Sequence, residues 1–68
     1  MPDIINTNPN ILGGAPVIKG TRIPVARVVA LYIQGYKLID IKKELPDLSN
    51  LTKRDLADIF SYYRSKLN

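Results

Sequence analysis

Sixty-eight residues make one domain, and a chain this short buries only about 60% of the surface it exposes when unfolded, so its core has little to spare. It contains no cysteine and no histidine, which excludes disulfide staples, thiolate and imidazole metal sites, and cysteine or histidine nucleophiles. The net charge of +4 suits either plain solubility or an anionic partner, nucleic acid or an acidic protein surface.

In chain order, Asp3-Ile4-Ile5-Asn6 predicts a short strand, ended by the turn formers Asn6-Thr7-Asn8-Pro9-Asn10. Ile11-Leu12 resumes apolar character and Gly13-Gly14 breaks it. The glycine pair is not a phosphate loop, because no glycine-lysine-serine/threonine ending follows. Val17 and Ile18 are β-branched and predict a second strand, pairing with Ile4-Ile5 in a ribbon. Pro16 lacks a backbone donor and Gly20 permits a positive φ, so no helix is expected between them. The stretch reads as strand, glycine corner and helix start, with Pro24 at the first helical position. Lys19 and Arg22 flank the corner.

The first helix is predicted over residues 24–34. Val25, Val28, Val29 and Tyr32 share one face, and Ala26, Ala30, Leu31 and Ile33 extend the apolar surface almost all round, as in a central helix. Gly35 ends it. The second is predicted over 38–45, with Leu38, Ile41 and Leu45 inward and Pro46 stopping it. Residues 46–51 form a turn. The third is predicted over 53–66, with Thr52 and Asp55 as its capping pair and Ser49 a competing cap. Leu56, Ile59, Phe60, Tyr63 and Leu67 form its apolar face; Lys53, Arg54, Ala57, Asp58, Ser61 and Arg64 lie opposite. The predicted core sets Val28, Val29 and Tyr32 against Ile59 and Phe60, with Tyr63 inside and Tyr36 and Tyr62 exposed. The fold class is mostly α: a three-helix, helix-turn-helix-like (homeodomain-like) single domain over 1–68, with a β arm and glycine corner (1–23) before the three-helix unit (24–68).

The run Pro16-Val17-Ile18-Lys19-Gly20-Thr21-Arg22-Ile23-Pro24-Val25 closely resembles the signature of domain-of-unknown-function family 433 (DUF433). Asn8-Pro9, Gly14, Gly35, Pro46, Thr52, Asp55 and Tyr62 fall at nearly the family spacing. The chain departs from the pattern by about three extra residues before Thr52, within Asp47-Leu48-Ser49-Asn50-Leu51. The resemblance implies a small antitoxin-like protein of a type II toxin-antitoxin pair, which binds operator DNA, regulates its own operon and neutralises a PIN-like ribonuclease toxin. The alternative is an interaction module that blocks a partner toxin without binding DNA.

In a helix-turn-helix the last helix enters the major groove with its N-terminal residues at the base edges. Here those are Lys53, Arg54 and Ala57, with Ser61 one turn on; arginine suits guanine and lysine suits phosphate. The competing reading is a solvated helix face whose charges pair locally. Lys19, Thr21 and Arg22 are candidates for contact with a partner or phosphate, or else for anchoring the corner, Thr21 by satisfying a local amide.

No acidic residue occurs between Asp3 and Asp40, so the corner and first helix hold the excess positive charge. No cofactor, metal or enzymatic activity is expected, since the carboxylates show no pairing pattern. The apolar run 28–33 is far shorter than the ~20 residues that span a bilayer, and residues 1–3 lack the basic start of a signal peptide, so a cytoplasmic protein is expected. Ile4, Ile5, Val17 and Ile18 offer apolar strand surface and open edges, from which a homodimer through the arm is expected.

Overall fold

The structure, a computed structural model, describes residues 2–66, so the expectation for Leu67 lies outside the described residues. Two short strands, β1 (Ile5–Asn6) and β2 (Val17–Ile18), pair antiparallel with Ile5 opposite Ile18 and Asn6 opposite Val17. The Lys19 amide extends the ladder, donating to the Ile4 carbonyl at 2.7 Å. Strand β1 is shorter than expected because Asp3 and Ile4 form a turn, in which the Ile5 amide donates to the Pro2 carbonyl at 3.0 Å. A 3-10 turn, Leu12–Gly14, lies between the strands.

From β2 the chain folds back on itself. Gly20 takes φ +78°, a conformation that favours glycine. The Ile18 amide donates to the Ile23 carbonyl at 2.9 Å, and the Val25 amide donates to the Pro16 carbonyl at 3.0 Å. Pro24 therefore pairs with Val17 and stays extended, at φ −63° and ψ 142°. It caps the first helix instead of forming its first turn, a correction of one residue: ring closure sets φ, but pairing with β2 sets ψ.

Helix α1 (Val25–Ile33) ends in a Schellman motif. Gly35, at φ +100°, donates its amide to the Tyr32 carbonyl at 3.0 Å, and the Tyr36 amide donates to the Leu31 carbonyl at 3.1 Å. Helix α2 (Leu38–Glu44) starts with the Lys37 amide held by the Asp40 carboxylate at 3.0 Å. Leu45, before Pro46, leaves the helical region at φ −124° and ψ 81°, as a residue preceding proline should. A 3-10 turn, Pro46–Leu48, leads towards helix α3 (Lys53–Lys66). The extra residues of this connection are fastened to the core, because Leu48 and Leu51 are each 3% exposed. Ser49 closes the 3-10 turn and does not cap α3.

One apolar cluster joins the ribbon to all three helices. Ile5 and Ile18 meet Val25, Val28, Val29 and Leu31 of α1, Ile41 of α2 and Ile59 of α3. Val28, Ile41 and Ile59 are fully buried. The fold is thus mostly α with a two-stranded N-terminal ribbon.

Three expectations about the core are corrected. Tyr32 is 49% exposed, while Leu31 is 2% exposed. Tyr32 shares the azimuth of Val25 and Val28 but sits in the last turn of α1, where its ring leans on Phe60 at the rim, centroids 4.6 Å apart. Phe60 is itself only half-buried. Tyr36 and Tyr62, expected outside, and Tyr63, expected inside, are all half-buried against the core. The ribbon's apolar surface is also covered by this same chain: Ile5, Val17 and Ile18 are all buried and only Ile4 is half-exposed. That removes the apolar motive for a dimer through the arm, leaving its open backbone edges.

Burial ranks the two neighbours on α3. Ile59→Ala is expected to cost ~2–5 kcal/mol, the range for emptying a closed aliphatic site, and Phe60→Ala less, since its ring already meets solvent. Urea unfolding of both variants checks the order; an equal or reversed ranking would show that α3 is rotated from the orientation described.

Candidate nucleic-acid interface

Helix α3 begins at a reciprocal capping box. The Asp55 amide donates to the Thr52 hydroxyl and the Thr52 amide donates to the Asp55 carboxylate, each at 3.0 Å. The acid nearest the helix start is thus engaged with the backbone. With Ile59 inward, a rotation of about 100° per residue sends Lys53, Arg54, Ala57 and Ser61 outward together. All four are exposed, and Arg64 joins them on the same face. The two small residues leave the centre of the face low between basic side chains at either end, so a flat or grooved partner can approach the helix closely.

Arg54 and Asp58 form the one ion pair among the described residues, Nε to Oδ1 3.8 Å, with side chains 87% and 39% exposed. A pair of this kind contributes at most a few tenths of a kcal/mol and yields readily to a better partner. Local pairing is therefore present, as one reading of the sequence held, but it engages only Arg54. Lys53 and Arg64 make no ion pair among the described residues.

The corner candidates separate. The Thr21 hydroxyl donates to the Ile18 carbonyl at 2.8 Å and accepts the Ile23 amide at 3.0 Å. Its hydroxyl donates one bond and accepts another, so Thr21 is a structural fastener of the corner. Lys19 and Arg22 are exposed and make no side-chain hydrogen bond or ion pair among the described residues, so Arg22 does not anchor the ribbon. The expectation of an acid-free corner is corrected in space. Asp47, carried in by the α2–α3 connection, lines the same recess as Thr21 and Arg22. Lys19 lines a neighbouring recess with Asn50 and Leu51, just ahead of the start of α3.

Sequence reasoning placed Arg64 on the polar side of α3 but left it out of the site. Its spacing of seven residues from Ala57 was the available signal. Asp47 carried no such signal, because only the path of the 46–51 connection brings it to the corner. Among the described residues, no helix is long and apolar enough to cross a membrane.

The sequence pattern of a family described as "Protein of unknown function (DUF433)" matches residues 5–63. The chain is 37% identical over 59 residues to the uncharacterized protein y4eO of Sinorhizobium fredii (strain NBRC 101917 / NGR234), a match covering 87% of this chain and 26% of that protein. It is similar in structure to a DUF433 member protein from Anabaena variabilis ATCC 29413, solved by crystallography at 2.00 Å resolution. There the TM-score is 0.73 at 34% identity, covering 91% of this chain and 58% of that one. The chain thus spans about a quarter of the length of one relative and somewhat over half of the other.

The divided corner has a direct consequence for stability. Thr21→Val strips the partner from the Ile23 amide and is expected to cost ~1–3 kcal/mol. Arg22→Ala should stay within about 0.5 kcal/mol of the parent, as exposed, unbonded positions do. Thermal unfolding followed by circular dichroism distinguishes them. Loss of stability in the arginine variant would mean its guanidinium is engaged after all.

Proposed function

The chain belongs to the DUF433 family, whose function is unknown, and on that premise we propose that it is a small DNA-binding protein that lays α3 in the major groove. The observation that carries this reading is the exposed face of α3, where Lys53, Arg54 and Arg64 surround Ala57 and Ser61. A helix carried outward by a helix-turn-helix arrangement, basic at both ends and small in the middle, suits a groove lined by phosphates. In this reading Arg54 makes a bidentate contact to guanine and Lys53 binds a phosphate. The free amides of the first turn favour a phosphate as well. Lys19 lies beside the turn that leads into α3, in a recess it shares with Asp47, and in this reading it adds a phosphate contact there. Asp55 does not defeat the reading, because the cap holds its carboxylate, while Asp58 must give up Arg54 when Arg54 turns to guanine, which so weak and exposed a pair allows.

The biological role we attach to this activity is that of an antitoxin-like repressor, binding the DNA of its own operon and neutralising a PIN-like ribonuclease. That part rests on the family resemblance alone. In this reading the protein is a binding protein of the cytoplasm and not an enzyme, and a homodimer would present two copies of α3 to half-sites one helical turn apart. A second reading, an interaction module that blocks its partner without DNA, is favoured by a separate observation: an open apolar trough between α1 and α3, which meets the basic face at Arg64.

Titration of labelled duplex from upstream of the gene, followed by fluorescence anisotropy at two salt concentrations, tests the DNA reading. Lys53→Ala should weaken binding to all sequences alike and reduce the salt slope by about one. Arg54→Ala should cost ~1–3 kcal/mol and relax preference at one base position. No binding at low salt, or binding indifferent to both substitutions, would leave the interaction module as the better account.

A further inference from the structure

Helix α1 packs between α2 and α3, yet one side of it stays open. Ile33 is 76% exposed and Tyr32 49%, and Ala26 is exposed on the same side. These residues face the flank of α3. The start of α1 lies beside Tyr62, Tyr63 and Lys66; its end lies beside Phe60, Tyr63 and Arg64. The two helices therefore run antiparallel, and Tyr63 lines both recesses, which follow one another along the α1–α3 seam as a shallow trough. Four of the chain's five aromatic residues line it, Tyr32, Phe60, Tyr62 and Tyr63. Aromatic side chains at a surface, half-buried and backed by a packed core, are the type that supplies most binding energy at protein interfaces.

Charge identifies the occupant. No carboxylate lines the trough among the described residues; its only charged lining groups are Arg64 and Lys66. The stretches that form its walls are acid-free in sequence, since no acid occurs between Asp3 and Asp40 and none follows Asp58 in α3. A second copy laid face to face would oppose Arg64 and Lys66 to their own kind. Duplex DNA gains little from an apolar aromatic floor. An apolar stripe with acidic edges matches both the floor and the rim.

We propose that the trough between α1 and α3 is the docking site for an amphipathic helix of a partner protein whose apolar stripe is flanked by aspartate and glutamate. The trough runs the length of α1, ~13 Å at the helical rise, which takes between two and three turns of a partner helix. It adjoins the basic face of α3 and shares Arg64 with it, but the inference does not rest on the DNA reading.

The test uses two labelled peptides of about 18 residues, long enough for appreciable helicity. Both carry leucine at heptad a and d positions; one is flanked by glutamate and the other by lysine. Anisotropy is read at roughly 0.05 M salt, where screening is weak. The glutamate peptide is expected to saturate in the micromolar range and to bind at least about tenfold tighter than the lysine peptide. Ile33→Asp should abolish binding without moving the melting temperature, because that side chain is already in solvent. The double variant Arg64→Glu, Lys66→Glu should invert the preference between peptides, and Lys53→Ala should leave it unchanged. Equal affinity for the two peptides, binding indifferent to Ile33→Asp, or no saturation by about 1 mM would each overturn the proposal. So would a dimer of the free protein, seen by sedimentation and dissolved by Ile33→Asp, which would assign the trough to a second copy.

Discussion

Everything after residue 18 takes its position from one hydroxyl. The Thr21 oxygen accepts the Ile23 amide and donates to the Ile18 carbonyl, closing a corner that only Gly20 lets turn so tightly. The corner brings Pro24 against Val17, and the Pro16 carbonyl then receives the first amide of α1. A two-stranded ribbon alone is marginal in water. Here it survives because its inner residues, Ile5 and Ile18, are part of the same cluster as the helices. In a domain with a core this small, the fastening of the arm and the placement of α1 are one constraint.

From that fixed α1 the remaining helices take their places. The Schellman turn at Gly35 sends α2 across it, and Ile41 enters the cluster. The long connection before α3 is pinned by Leu48 and Leu51, so extra residues that look like slack on paper act as a spacer with two anchors. Helix α3 then closes the core through Ile59 alone among its fully buried residues. A single buried residue among its 14 leaves most of α3 available: its outer face is basic and low-profiled, its flank aromatic. The two surfaces meet at Arg64, which is exposed beside Ser61 and also lines the trough.

Much of this was legible in the residues, for identifiable reasons. The third helix was readable to its described end because Thr52 and Asp55 mark its start and a 3.6-residue apolar rhythm carries it on. Its outward set of Lys53, Arg54, Ala57 and Ser61 followed from that rhythm. The Val17-Ile18 strand and the corner at Gly20 were readable from β-branching and from glycine's tolerance of positive φ. What periodicity does not encode is where a packed layer ends. Tyr32 keeps step with Val25 and Val28 but sits in the last turn of α1, where Phe60 of α3 covers one side of its ring and the rest meets solvent. Nor does spacing along the chain reveal neighbours across it. The corner reads as acid-free from residue 3 to residue 40, yet Asp47 arrives there through the 46–51 connection. Spacing along the chain does not show that Thr21 fastens the corner either; that takes the two bonds it makes to Ile18 and Ile23.

The central functional claim is that the outer face of α3 meets DNA. Nuclear magnetic resonance of isotope-labelled protein, titrated with duplex from upstream of its gene, tests it residue by residue. Amides of Lys53, Arg54, Ala57 and Ser61 should shift most, with Lys19 following at the adjoining corner and Ala26 and Ile33 unmoved. Shifts confined to the α1–α3 trough, or absent throughout the titration, would contradict it.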